Sequence, residues 1–287
     1  MKFGLVPINI GMNQGSHMVG LAQAAEAAGV ESVWTFEHAI VPVEYDSKYP
    51  YNESGKMGAE PETIMVDPLI ALTAIAAATK TLRLGTGVNI LSQVNPLMIA
   101  KQAGSLDFVS DGRFMLGVGI GWLREEFEAM GTPFERRGER FDDYIVAMRK
   151  FWSGEVVEHK SDFINWHGFK SYPLPVQKPH LPIVIGGNKT KAFERVAKFG
   201  DGWFAPSASP GDLAPYLETL KAECDKVGRD PSEVEITAMW PLIGGLEAVK
   251  QFEDLGVSRL NVPTLAMGGG NPLDLVNKLH DDIISKL

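Results

Sequence analysis

The chain has a single cysteine, Cys224, so no internal disulfide can form, in keeping with a reducing compartment. Its longest apolar stretch, from Leu69 to Ala78, falls well short of the roughly 20 residues that span a bilayer. No secretion signal is visible in Met1-Lys2-Phe3-Gly4-Leu5, which runs straight into a strand pattern, and the expectation is a cytoplasmic protein without a membrane partner. Basic excess is also missing. Against 36 Asp and Glu stand 27 Lys and Arg, a formal net charge of -9, which argues against binding nucleic acid. There is no histidine pair at metal-ligand spacing, no carboxylate cluster resembling a divalent-metal site, and no nucleophile elbow followed by Asp and His. The chain also lacks a low-complexity tract.

What the 287 residues do carry is an alternation of short β-branched or apolar runs with longer segments of helical period, the pattern of βα units on a parallel sheet. The predicted strands are Phe3 to Ile8, Ser32 to Glu37, Leu82 to Ile90, Arg113 to Gly119, Ile183 to Ile185, Gly202 to Phe204, Glu235 to Met239 and Arg259 to Val262. Helices should begin near Ser16, Asp67, Pro96, Glu139, Thr190, Gly211, Gly245 and Pro272; Asp67-Pro68 and Asn95-Pro96 are helix-start pairs. Eight units in this length favour one α/β domain over residues 1–287, a (β/α)8 TIM barrel, over a doubly wound open sheet. Two stretches interrupt the alternation. Ala39 to Met65, with Tyr45, Tyr49 and Tyr51, is long and aromatic enough to cover a pocket, or is a plain surface excursion. Ser153 to Leu181 holds a hairpin-like pair, Phe163 to Trp166 and Gly168 to Tyr172.

In a barrel, chemistry sits at the carboxyl ends of the strands. Those ends carry Glu37-His38, Gly87-Val88-Asn89, Gly119-Ile120-Gly121-Trp122, Gly186-Gly187-Asn188, Ser207, Ser209, Trp240 and Thr264. Glycine, one histidine and aromatic rings suit a flat, phosphate-bearing cofactor that brings its own reactivity. The unit PIVIGGNKTKAFERVA points a diglycine and a new helix start beyond a strand end, with Thr190 placed to cap the helix; free N–H groups there would face an anion. An ordinary strand-to-helix turn would use the same glycines for geometry alone.

The segments LRLGTGVNIL and NPLMIAKQAGSLDFVSDGRFMLGVGIGWLREEFEAMG resemble the luciferase-like monooxygenase superfamily, in particular its coenzyme F420-dependent oxidoreductase branch. FGLVPI, EHAIVP, PLPVQKPHLPIVIGG and DGWF extend the likeness over most of the chain. The resemblance implies a barrel, a non-prolyl cis bond at Gly87-Val88 backing a cofactor ring, and Asn89 and Ile90 along the ring edge. It further implies cofactor contacts from Glu37, Ile120 and Gly121, and phosphate on the Gly186, Gly187 and Asn188 backbone. His38 matches the family's active-site histidine, a proton donor or polariser, since imidazole exchanges protons near neutral pH. The other histidines, His17, His159, His167, His180 and His280, lie in helix starts, inserts or tails and read as structural.

Two departures stand out. Trp122 occupies the position of the catalytic glutamate of the F420-dependent sugar-phosphate dehydrogenases, which argues against that activity and for an apolar or conjugated small-molecule substrate. Asn188 replaces a proline common after the diglycine in deazaflavin relatives. The following Arg124, Glu125 and Glu126 are expected to form a solvated helix start. The resemblance thus implies hydride transfer between a deazaflavin and a small organic substrate by a homodimeric enzyme. One alternative is an FMN-dependent monooxygenase fed by a partner reductase; another is a barrel that binds cofactor without turnover.

Overall fold

The computed structural model describes residues 1–267 and 271–287. Strands β1 (Lys2–Val6), β2 (Ser32–Thr35), β3 (Arg83–Thr86), β5 (Phe114–Gly119), β8 (Ile183–Gly186), β9 (Gly202–Ala205), β10 (Glu235–Met239) and β11 (Arg259–Pro263) pair in parallel, and β11 returns to β1 with Lys2 opposite Arg259. The ring closes through β3–β5 and β5–β8, so the sheet is a barrel and the open-sheet alternative falls. A short strand β4 (Asn89–Ile90) continues β3 after a break and pairs with the end of β5.

Helices alternate with the strands: α1 (Gly15–Ala27), α2 (Pro68–Ala78), α3 (Pro96–Val109), α4 (Arg124–Ala129), α5 (Arg137–Phe151), α6 (Thr190–Phe199), α7 (Pro210–Val227), α8 (Gly245–Asp254) and α9 (Pro272–Asp282). The two Asx-Pro pairs work as local chemistry dictates. Asp67 accepts from the Ile70 N–H, and Asn95 accepts from those of Leu97 and Met98, each filling donors that the first turn leaves unpaired. Apolar faces of the helices pack outside the barrel, where Leu72, Ile75, Ala103, Phe141, Phe193 and Leu279 are buried. Inside it lie Val6, Trp34, Met115, Val184 and Phe204. None of the described helices is long and apolar enough to cross a membrane.

At the amino-terminal end of the barrel Arg259, fully buried, is gripped bidentately by Glu31 at 2.7 and 2.8 Å and also meets Glu235 and Thr237. This network closes the end opposite the glycine-rich mouth.

Several expectations need correction. The predicted third strand, Leu82 to Ile90, is split at Gly87-Val88, because Arg83–Thr86 pairs with β2 and the start of β5 whereas Asn89–Ile90 pairs with the end of β5. The hairpin forms from β6 (Val157–Lys160) and β7 (Asn165–Phe169), since Phe163 and Ile164 belong to the turn closed on Ser161. Thr190 does not cap α6; Lys189 holds that position and no side chain caps the helix. Ser209 instead caps α7, accepting from the Asp212 N–H.

Candidate active site

The mouth is organised around the cis peptide bond. The Gly87 N–H donates to Thr35 O at 2.7 Å, while the next residue, Val88, projects toward the ends of β5 and β8. Val88, Gly186, Gly187 and Tyr51 line two cavities at once, of about 320 and 370 Å3, and so form the divider between them.

The first chamber is basic. Its walls include Ile90, Gly119, Ile120, Gly121, Trp122, the 186–188 turn, and four cations, Arg137, Lys189, Lys191 and Arg195, with no carboxylate among the lining residues. In a chain of net charge -9 this is a local inversion of sign that attracts anions. Lys191 and Arg195 pair outward, with Glu194 at 2.6 Å and Asp142 at 2.5 Å. Arg137 has no carboxylate partner among the described residues: Nε donates to Gly121 O at 3.1 Å, and the guanidinium stacks 3.8 Å over Phe134. Burial, then the neighbouring charges of Arg124 and Arg140, hold it below the usual guanidinium range. A charge so placed gains most from an anion. Gly187, at φ +116°, adopts a backbone that a side chain resists, and so presents bare backbone toward the chamber.

The second chamber is neutral, lined by Phe36, Tyr49, Val88, Phe204, Met239 and the prolines 206, 241 and 263, with Ser207 among them and no charged residue. The tyrosines arrive on the 39–65 insertion, which folds over the mouth. Trp122 is met by the rings of Tyr45 at 5.9 Å and Tyr49 at 5.2 Å, and Tyr49 meets Tyr51 at 5.5 Å. Burial, with Tyr49 and Tyr216 adding to it, pushes the Tyr51 phenol up to about 12, so it stays neutral.

His38 lines neither chamber; its ring stands edge-on to Trp122, centroids 6.0 Å apart and planes at 83°. The end of β2 is set by Asn9, whose amide donates to Phe36 O and Val66 O and accepts from the Phe36 N–H. His38 Nδ1 lies 3.0 Å from Glu126 Oε2, and the Glu126 side chain is 2 % exposed. Glu126 is therefore no part of a solvated helix start, and Glu125 is engaged too, Oε1 accepting from the backbone N–H groups of Asp46 and Ser47. Only Arg124 of the three faces water, paired with Glu135. Both glutamates are withdrawn because the insertion docks on α4, a contact that local spacing does not announce.

Glu37 accepts from the Ile90 N–H just past the cis bond. Burial pushes its carboxyl up to about 7, against the lowering effect of that hydrogen bond and of Asn89, and the charges of Glu126 and Asp67 add to the rise. Asn89 is itself buried, with Oδ1 unpartnered among the described residues.

The structure thus gathers Val88, Ile90, Ile120, Gly121, Trp122, Gly186, Gly187 and Asn188 at one cavity. Gly87 lies at the adjoining one, Glu37 meets the Ile90 N–H, Asn89 is buried beside it in the chain, and His38 stands edge-on to Trp122. Sequence reasoning missed the cations and Glu126. Lys189 and Lys191 stand two and four residues past the diglycine and could have been noticed, whereas Arg137 and Arg195 come to the mouth, and Glu126 to His38, only through helix packing.

Comparison with known proteins bears on the family and the fold. A model of the luciferase-like monooxygenase family matches residues 6–248. The chain is 33% identical over 241 residues to an uncharacterized protein of Mycobacterium tuberculosis, covering 84% of this chain and 82% of that one. It is 28% identical over 242 residues to an F420-dependent hydroxymycolic acid dehydrogenase of the same species, covering 83% of this chain and 62% of that one. Among solved structures, the coenzyme F420-dependent tetrahydromethanopterin reductase of Methanopyrus kandleri superposes with TM-score 0.77 over 99% of both chains at 14% identity. The oxygenating constituent of 3,6-diketocamphane monooxygenase from Pseudomonas putida, in complex with FMN, reaches 0.74 over 100% of this chain and 99% of that one at 14% identity. Both share the fold.

Proposed function

The chain belongs to the luciferase-like monooxygenase family, and we propose that within it this protein is a coenzyme F420-dependent oxidoreductase acting on a small, neutral, apolar or conjugated substrate. The observation that carries this reading is the pair of chambers parted by Val88, one with four cations and no carboxylate, the other aromatic and uncharged. A phosphate-bearing, ring-containing cofactor fits that division. Its phosphate would meet Arg137, Lys189 and the Gly186-Gly187-Asn188 backbone, and its ring would lie against Val88. A deazaflavin, when bound, supplies two-electron chemistry. This chain's residues bind and orient it, exclude water through Tyr45, Tyr49 and Trp122, and hold the His38 imidazole next to Trp122.

The preference for F420 over FMN rests on the likeness to an F420-dependent dehydrogenase across 83% of the chain. FMN carries a phosphate as well, so the basic chamber alone fits a flavin monooxygenase served by a reductase. Titrating the cofactor-free chain with coenzyme F420 and with FMN, followed by fluorescence, separates the two: tighter binding of F420 is expected. A preference for FMN overturns the F420 assignment, and binding of neither overturns the cofactor reading. The protein is expected to act as a homodimer in the cytoplasm.

A further inference from the structure

Glu126 divides its two oxygens between elements of different kinds. Oε2 holds His38 Nδ1 at 3.0 Å, while Oε1 accepts from the backbone N–H of Ala39 at 2.5 Å and of Ile40 at 3.4 Å. Ala39 and Ile40 begin the insertion that carries the three tyrosines. An ionised carboxylate only accepts hydrogen bonds, so within this pair Nδ1 carries the proton. In the neutral ring the lone pair then resides on Nε2, the nitrogen not engaged by Glu126. The adjacent Glu125 grips the insertion further along, at Asp46 (2.7 Å) and Ser47 (3.2 Å), and the Arg124 N–H donates to Ser47 Oγ at 3.0 Å. Helix α4 therefore clasps the insertion at two points, and only the first is shared with the imidazole.

We propose that Glu126 is a positioning residue that joins two conditions for turnover: it keeps His38 as the Nδ1–H tautomer, leaving Nε2 to accept a proton, and through its other oxygen it secures the start of the insertion over the mouth. The proposal rests on the functional reading above only for the use made of Nε2. Loss of the carboxylate would release ring and insertion together, whereas loss of Glu125 would release the insertion alone. The isosteric amide distinguishes the two duties. In Glu126→Gln the amide oxygen can still accept from Ala39, but the amide N–H₂ now donates to Nδ1, which forces the proton onto Nε2.

The test is nitrogen NMR of the His38 ring at pH 9, with hydrogen exchange of the backbone amides, on the full chain without cofactor. The wild-type ring should show Nδ1–H. Glu126→Gln should show Nε2–H with exchange at Ala39 and Ile40 within about twofold of wild type. Glu126→Ala should speed exchange at those two amides by roughly tenfold, the loss of about one hydrogen bond's net worth. Glu125→Ala should speed exchange at Asp46 and Ser47 and leave the tautomer alone. A wild-type ring in any other state, or a Glu126→Gln ring that keeps Nδ1–H, overturns the tautomer role; unchanged exchange at Ala39 and Ile40 in Glu126→Ala overturns the coupling. If Glu126→Ala does not fold, Glu126→Met, which fills the same space without an acceptor, decides the coupling in its place: exchange at Ala39 and Ile40 must then speed up, and unchanged exchange overturns it. Cofactor titration plays no part in these readouts, so their failure is distinguishable from failure of the F420 assignment.

Discussion

Val88 is wedged between Gly119 and Gly186: a methyl added at position 119 would lie 2.8 Å from Val88 Cγ2, and one at 186 would lie 3.0 Å from Val88 Cγ1. The divider of the two chambers therefore keeps its place because the strand ends on either side have no side chain.

Gly119→Ala should accordingly displace Val88, at a cost of roughly 1–3 kcal/mol as in other overpacked interiors. Denaturant unfolding would show the loss, and cofactor affinity should fall with it. Adding Val88→Ala to Gly119→Ala should restore much of the stability, because the two changes meet at one contact. Purely additive losses would refute the wedge.

Glu37 makes stability depend on pH in an unusual direction. Its folded carboxyl sits at about 7 against an ordinary value of 4.5, so between those limits the folded chain binds more protons than the unfolded one. Its contribution is therefore greatest at low pH and is lost as pH rises from about 4.5 to 7, by on the order of 3 kcal/mol. Glu37→Gln should flatten that stretch of the stability profile, measured by urea unfolding at several pH values. An unchanged slope would refute the shifted carboxyl.

The buried Arg259 network acts oppositely. Burial raises the Glu235 carboxyl, but the Arg259 and Lys2 charges outweigh it and hold the group at about 2. Its stabilisation is present above the ordinary carboxylate range and is lost as pH falls toward 2. Glu31→Gln, leaving Arg259 with less compensation, should cost about 3–5 kcal/mol near neutral pH. Arg259→Met should shrink the acid-sensitive limb of the unfolding curve, and a limb of unchanged size would assign it elsewhere.

Arg137 provides the test of the anion end. Arg137→Met should weaken FMN or coenzyme F420 by about tenfold to a hundredfold while leaving riboflavin, which lacks the phosphate, unaffected. The effect should shrink as salt is raised. Equal weakening of riboflavin would place Arg137 in general packing.

The barrel was legible because strands of a closed parallel sheet read as short apolar runs, and because Asp67-Pro68 and Asn95-Pro96 mark helix starts through hydrogen bonds that reach only a few residues. The family likeness pointed to the glycine-rich turns and to Gly87-Val88. The duties of Glu125 and Glu126 were not legible. Their spacing is that of a first helical turn in water, and what withdraws them is a docked segment some 80 residues earlier in the chain. The hairpin was misplaced for a related reason, since aromatic content marks Phe163 but only pairing with Val157–Lys160 shows that it belongs to the turn.

By itself, then, the sequence determined the alternation of elements, the bare backbone at 119, 186 and 187, and the aromatic character of the insertion, all properties of residues taken singly or with near neighbours. Tertiary structure decided which charges meet. Arg137, Lys189, Lys191 and Arg195 come from two helices and a turn to one cavity, and Glu126 reaches His38 across 88 positions. Electrostatic and hydrogen-bonding interactions depend on distance in space, and closing the barrel is what converts remote positions into neighbours.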